Sequence, residues 1–453
     1  MTRLSTLVLA LAAFAGTACT TMIPAYERPS APVAASFPQA AASEANAAVP
    51  QADAIAWRDY FVDARLRELI ALALENNRDL RVAALNIERA RAQYGIQRAD
   101  LFPTIAASGG QAAQRIPGDL TGTGDAMISR QYSANLGLAS YELDFFGRVR
   151  SLEQQALETW LGTEEARRSA QISLVAEVAN VWLLLAADSE RLALARNTVE
   201  TRQQSLDLTR RSFEAGAVSA LDLNQAETLL QTARADAARF AALVAQDRNA
   251  LAMVVGTPLT AEMLPASLDE RVSAVVELPA GVPSEVLTRR PDILQAEHAL
   301  RAANASIGAA RAAFFPSISL TASIGTASAS LDGLFESGSR AWSFMPQIRI
   351  PIFEAGRLQA SLDVAEIQRD IQVANSERAT IAEQLDARRR LVAATEKSFQ
   401  LSEARYKEGV DSYLGLLDAQ RTLYGAQMEL IGTRLADAAN RVELYRALGG
   451  GWQ

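Results

Sequence analysis

Side chains capable of covalent or metal chemistry are scarce in this sequence. Its 453 residues include one histidine, His298, and one cysteine, Cys19. Zinc, copper and iron–sulfur centres draw on several His and Cys ligands, and a nucleophilic triad would have to be built on His298 alone. Disulfides need pairs of thiols. Metal sites, cofactors and catalytic residues are therefore not expected. Two carboxylates can hydrolyse a glycosidic bond without His or Cys, but Asp and Glu are spread here along helix faces and no loop gathers a pair. The remaining reactive group is Cys19. It follows Gly16-Thr17-Ala18 and an apolar run from Leu7 to Ala15 behind Arg3, so residues 1–18 read as a secretion signal. Cys19 then stands where a bacterial lipoprotein is cut and acylated, with Gly16 in the place that usually carries Leu. Acyl chains would anchor the N-terminus at about 0.8 kcal/mol per buried CH₂, and Thr20, where an inner-membrane retention signal has Asp, points to the outer membrane.

The formal net charge is −8 and the sequence pI about 5.1, which argues against a phosphate-tracking surface and hence against nucleic acid as a partner. Apolar residues make up 49% but aromatics only 6%, a balance suited to long helices packed through small aliphatic contacts. Residues 19–53 are rich in Ala, Pro and Ser and contain Pro24, Pro29, Pro32, Pro38 and Pro50, so an extended strap is expected there. No transmembrane helix is expected, because the best apolar run, Ile172 to Ala187, is interrupted by Glu177 and Asn180.

An internal repeat organises the rest. Asp79–Ile105 aligns without gaps with Asp292–Ile318, with 10 of 27 positions identical, including Gly95/Gly308, Arg98/Arg311 and Phe102-Pro103 against Phe315-Pro316. Phe213–Gly256 aligns likewise with Tyr406–Gly449, with 11 of 44 identical, including Gly216/Gly409, Ser219/Ser412 and Leu221/Leu414. Two tandem copies of one unit follow, over residues 54–283 and 284–453.

Each copy should begin with a helix, over 63–100 and 284–313, closed by Phe-Pro. The period then changes to two. Ile318, Leu320, Ala322 and Ile324 alternate with Ser317, Ser319, Thr321 and Ser323, and Trp342, Phe344, Ile348, Ile350 and Ile352 alternate with Ser343, Gln347 and Arg349. The counterparts are 104–114 and 131–143, with hairpin loops at 118–124 and 332–338. Leu320, Ile324, Phe344 and Ile348 should share one face and Ser319, Ser323 and Gln347 the other. A long helix is expected from Arg148 to Glu214, with a heptad through Val178, Leu185, Leu192, Val199, Leu206 and Phe213 that recurs at Leu385, Val392, Phe399 and Tyr406. Gly216 and Gly409 should break the helices and Ser219 and Ser412 cap the next ones. Strands of this length and alternation suit an outer-membrane barrel, but four cannot close one, since such barrels start at about eight strands.

These features, with the segment Tyr406 to Arg421, Arg289-Arg290-Pro291-Asp292-Ile293 and Phe314-Phe315-Pro316-Ser317, resemble the outer-membrane factors of the TolC and OprM type, in their NodT-like lipoprotein branch. The resemblance implies an α+β, TolC-like fold: a homotrimer whose duplicated helical hairpins form an α-barrel and whose strands share a twelve-stranded transmembrane β-barrel. It implies a passive efflux conduit for small molecules, not an enzyme, docked onto a periplasmic adaptor and an inner-membrane transporter of the RND type. A conduit for type I protein secretion and a periplasmic helical adaptor are the alternatives. By the same resemblance Leu414, Asp418 and Arg421 form the periplasmic gate. The hairpin tips, Gly216, Ala217, Val218, Ser219 and Leu221 in one copy and Gly409, Val410, Asp411, Ser412 and Leu414 in the other, would contact the adaptor. Asp222 stands where the second copy has Gly415, so the two tips should differ.

Overall fold

The structure, a computed structural model, describes residues 21–26, 55–122, 124–268, 289–373, 413–447 and 449–450. Cys19, the heptad positions 385–406 and the second tip, 409–412, lie outside the described residues. The elements in chain order are α1 (Trp57–Tyr60), α2 (Ala64–Asn76), α3 (Arg78–Ala99), β1 (Ile105–Ile116), β2 (Met127–Leu143), α4 (Arg148–Glu214), α5 (Ala220–Val255), α6 (Pro291–Ala312), β3 (Ser317–Ser328), β4 (Arg340–Arg349), α7 (Arg357–Val373) and α8 (Tyr413–Ala447). They divide into two compact units, and the division falls within α3, α4 and α6.

The first unit carries the sheet, antiparallel in the order β1-β2-β3-β4. Its register puts Ile318, Leu320, Ala322 and Ile324 opposite Ile348, Pro346, Phe344 and Trp342. Ser319 pairs with Gln347 and Ser323 with Ser343, and the two serine hydroxyls hydrogen-bond at 2.7 Å. One face is thus apolar and the other small and polar, as the alternation requires. The sequence does not reveal how β2 keeps to this rule. Leu136 and Leu138 pair with Ile324 and Ala322, but a bulge then intervenes, and Tyr141 and Leu143 pair with Leu320 and Ile318. Ser140 takes a positive φ of 54°, and its N–H donates to Thr321 Oγ1 at 3.1 Å. One extra residue returns Tyr141 and Leu143 to the apolar face, which strict alternation would have turned over.

Two expected elements end differently. The helix expected over 63–100 is broken at Asn77, whose Oδ1 accepts from Leu80 N at 2.9 Å while its amide donates to Val254 O at 2.8 Å. An Asn side chain that offers the backbone a new N-cap competes with continued helix. The strand expected to reach Ile352 stops at Arg349, ahead of Pro351, which has no N–H for a ladder.

Residues 21–26 lie along α6 in the same unit. Asn304 donates to Pro24 O at 3.0 Å, the Arg301 guanidinium sits 5.0 Å from the Tyr26 ring centroid, and Ile23 fills the space that a Cβ on Gly308 would take. These contacts are one helical stripe, spaced three and four residues apart. A methyl on Gly308 would meet Ile23 Cγ1 at 2.6 Å and its backbone at 2.9 Å, whereas one on the repeat-related Gly95 would meet nothing within 4 Å. Gly308→Ala should therefore lift the strap and speed proteolysis around Tyr26. Gly95→Ala should leave proteolysis unchanged and strengthen its helix by about 0.5–1 kcal/mol. Limited proteolysis of the two variants side by side checks both. His298 is also accounted for in this unit: its Nδ1 lies 2.7 Å from Glu158 Oε2, and Gln154 donates to the other oxygen of that carboxylate at 2.9 Å. The single histidine ties α6 to α4.

The second unit holds the largest core. Val175, Val178, Trp182 and Leu185 of α4 are buried there together with Leu66, Leu69 and Ile70 of α2, Leu251 and Val255 of α5, and Tyr445 of α8. The most apolar window of α4 has the length and hydropathy of a membrane span, yet 61% of it is buried inside the protein. It is a core helix. Tyr60 and Tyr445 stack with ring centroids 3.6 Å apart.

An acid pair lies in this interior. Asp188 of α4 is buried and accepts from Arg191 at 2.6 Å. Asp247 of α5, 8% exposed, has an Oδ2 without any hydrogen-bond partner. Burial, with Asp188 adding to it, pushes the Asp247 carboxyl up from 3.8 to about 6. An acid whose pKa is higher in the folded state favours folding when protonated. Stability should thus fall as pH rises from about 4 to about 6 and level off above. Asp247→Asn, which supplies an N–H toward Asp188 and copies the repeat-related Asn440, should remove that fall. At pH 7.5 it should gain on the order of 2 kcal/mol, seen as a higher thermal midpoint in detergent.

Candidate functional site

The described hairpin tip is built by backbone rules. α4 ends in a Schellman motif: Ala217 N–H donates to Ser212 O at 2.8 Å and Gly216 N–H to Phe213 O at 2.9 Å, which requires the positive φ of 73° that Gly216 adopts. Ser219 then caps α5 as expected. Asp222 N–H donates to Ser219 Oγ at 3.3 Å, while Ser219 N–H and Oγ both reach Asp222 Oδ2, at 3.0 and 2.7 Å. These donors hold the Asp222 carboxyl below its ordinary value. The Asp222/Gly415 difference between the copies thus has a structural meaning that the sequence reading missed, because it completes a capping box in the first tip. Gly216, Ala217, Ser219 and Leu221 are exposed and Val218 is half-buried.

On α8, Leu414, Asp418 and Arg421 follow at spacings of four and three, one face of a helix. Leu414 lies in its first turn. Arg421 Nη2 donates to Asp418 Oδ1 at 2.5 Å, with the side chains 73% and 60% exposed. This face is tied to two other helices by residues no local spacing would single out. Tyr424, one turn beyond Arg421, donates to Asp236 Oδ2 of α5 at 3.2 Å. Arg239 pairs with the same carboxylate at 3.2 Å. The buried Arg202 of α4 lies 5.6 Å from the Tyr424 ring centroid and donates to Leu229 O at 2.7 Å. Burial lowers the Arg202 pKa, and burial together with Asp236 pushes the Tyr424 phenol up to about 12. The arrangement joins helices through charge and aromatic contacts and presents no nucleophile beside a base. Among the described residues no three metal-ligating side chains cluster.

At the base of the sheet lies a cavity of about 350 Å³ lined by Phe146, Phe315, Pro316, Arg349 and Arg357 among others. Its charges are matched locally: Arg148 by Glu142 at 2.5 Å, and Arg357 and Arg349 by Glu354.

Long capped helices joined to a four-stranded antiparallel sheet with one apolar face define a channel-type membrane protein of the TolC-like fold. Residues 69–257, 282–382 and 369–450 match the family described as "Outer membrane efflux protein", and the chain belongs to that family. It is 50% identical to the antibiotic efflux pump outer membrane protein ArpC of Pseudomonas putida, and equally to the toluene efflux pump outer membrane protein TtgC from the same species. Each comparison covers 99% of this chain and 96% of the relative. Its fold matches the open state of the Neisseria gonorrhoeae MtrE outer membrane channel with a TM-score of 0.80 and 37% identity, over 96% of this chain and 99% of that one. The protein is the outer-membrane channel component of an efflux system and not an enzyme.

Proposed function

We propose that three copies of this chain assemble into a conduit, their sheets forming a twelve-stranded barrel in the outer membrane and their helical hairpins a tunnel through the periplasm. The observation that carries this reading is the sheet. Its apolar face is exposed, with Trp342 at 76% and Phe344 at 59%, and among the described residues β1 and β4 each have one unpaired edge. Unpaired backbone groups in lipid cost several kcal/mol each, and strands of 10 to 17 residues are long enough to span a tilted barrel wall. Other copies of the same chain complete the ladder. The small polar face of Ser319, Ser323 and Gln347 then lines the lumen.

In this reading residues 54–283 and 284–453 are the two repeats, and Cys19 carries acyl chains behind a strap that begins along α6. Leu414, Asp418 and Arg421 narrow the periplasmic end of the tunnel. The two tips receive a periplasmic adaptor, which couples the channel to an inner-membrane transporter of the RND type. Cargo of the small-molecule class, antibiotics and aromatic solvents, fits the kinship with ArpC and TtgC. Deleting the chain from its host should lower survival in toluene and the inhibitory concentration of amphiphilic antibiotics, and the purified protein should have three times the chain mass in detergent. Unchanged tolerance in a host without a second such channel would overturn the cargo assignment, and a monomeric mass would overturn the assembly.

A further inference from the structure

Phe146 and Phe315 stack with ring centroids 4.9 Å apart and an interplanar angle of 21°. Their place in the ladder is symmetrical: Leu143 pairs with Ile318, Phe146 lies three residues after the one, and Phe315 three residues before the other. The stack therefore closes the base of the seam between β2 and β3. The repeat alignment matches Phe102 to Phe315, and the segment after each second strand matches Phe353 to Phe146: Leu143-Asp144-Phe145-Phe146 before Gly147-Arg148 stands against Ile350-Pro351-Ile352-Phe353, with Glu354 and Ala355 inserted before Gly356-Arg357. Neither counterpart has a ring partner within the chain among the described residues, and both are exposed, Phe353 at 87% and Phe102 at 62%. They stand at the bases of the two unpaired edges, Phe353 three residues after Ile350 beyond β4, and Phe102 three before Ile105 of β1.

We propose that Phe353 of one copy stacks on Phe102 of the adjacent copy, with β4 antiparallel to that copy's β1 and Ile350 opposite its Ile105. This rests on the assembly proposed above and assigns its seam. β2 extends to Leu143, past the end of its pairing with β1 at Leu138, because β3 continues the ladder there. Among the described residues β4 has no such neighbour, and it ends at Arg349; pairing with the adjacent copy's β1 extends it by Ile350, the residue that corresponds to Leu143. The parity agrees, since Ile350 continues the apolar set of Ile348 and Phe344, and Ile105 shares the apolar face of Leu138. The seam between copies thereby repeats the seam within the copy.

The full-length protein with Cys19→Ser and both Phe353→Cys and Phe102→Cys, treated in detergent with a short bis-maleimide, should give cross-linked dimers and closed trimers on a denaturing gel. Either cysteine alone should give none. The pair Phe146→Cys and Phe315→Cys should cross-link within one chain, which calibrates the reagent on the same geometry. As a milder pair, Phe353→Leu and Phe102→Leu should each lower the temperature at which the oligomer dissociates, and the double variant should lower it scarcely further, as for residues that share one contact. Additive shifts, or absent cross-links in an intact oligomer whose calibration pair reacts, would overturn the stack alone. A protein that is monomeric before any reagent is added would overturn the assembly as well.

Discussion

Purified Arg421→Glu should show larger or longer-lived openings in planar bilayers than the unaltered protein. Arg421 is bonded to Asp418 at 2.5 Å on an exposed face of α8. One such pair is worth no more than about 1 kcal/mol. The pair lies within one helix, so its loss bears on gating only through the charge it leaves: in the proposed trimer Arg421→Glu replaces three cations by three carboxylates where the tips converge, and that repulsion disfavours the closed state. Tyr424 should keep its bond to Asp236, because the substitution lies outside that contact, so the helices remain joined while the charge ring changes. Asp418→Ala should weaken block by divalent cations. Unchanged conductance and unchanged block in intact trimers would make both residues ordinary helix-surface charges.

The second large effect concerns the apolar face of the sheet. Ile348 pairs with Ile318, one step from the helix-proximal end of the β3–β4 ladder, whereas Phe344 pairs with Ala322 in its middle. A charge near the bilayer midplane costs about 2–4 kcal/mol and near the interface about 0–1. Phe344→Arg should thus strongly reduce the yield of folded protein in the outer membrane and lower its dissociation temperature. Ile348→Arg should do so much less. Gln347→Arg, on the small polar face, should assemble as the unaltered protein does. Equal losses for Phe344→Arg and Gln347→Arg would mean that both faces are packed against protein.

The long helix 148–214 was legible because its signals are local and agree: a sustained heptad, Gly216 at its end and Ser219 opening the next helix. β3 and β4 were legible for the same reason, since apolar residues hold every second position from Ile318 to Ile324 and from Trp342 to Ile348. The break at Asn77 was not, because Asn within an Ala- and Arg-rich run caps a new helix only where its amide also finds Val254 O, 177 residues away. The β2 bulge was hidden because its benefit, keeping Tyr141 on the face of Leu138, appears only when β3 fixes the register. Of the candidate gate, the Asp418–Arg421 spacing was readable on one helix, but Tyr424, Asp236 and Arg202 come from three helices. Asp247 looked like one more surface acid, and the neighbouring Asp188 marks it as different.

Adjacent cysteines in β3 test the conduit most directly. In a Cys19→Ser background, Ser323→Cys should react in intact membranes with a charged, water-soluble maleimide small enough to enter the lumen, and Ile324→Cys with a lipid-soluble one only. Ser323 pairs with Ser343, and Ile324 with Trp342, so the two thiols lie on opposite faces one residue apart. Reversed labelling, or equal reaction of both cysteines with the water-soluble reagent, would contradict a barrel wall with lipid on one side and water on the other.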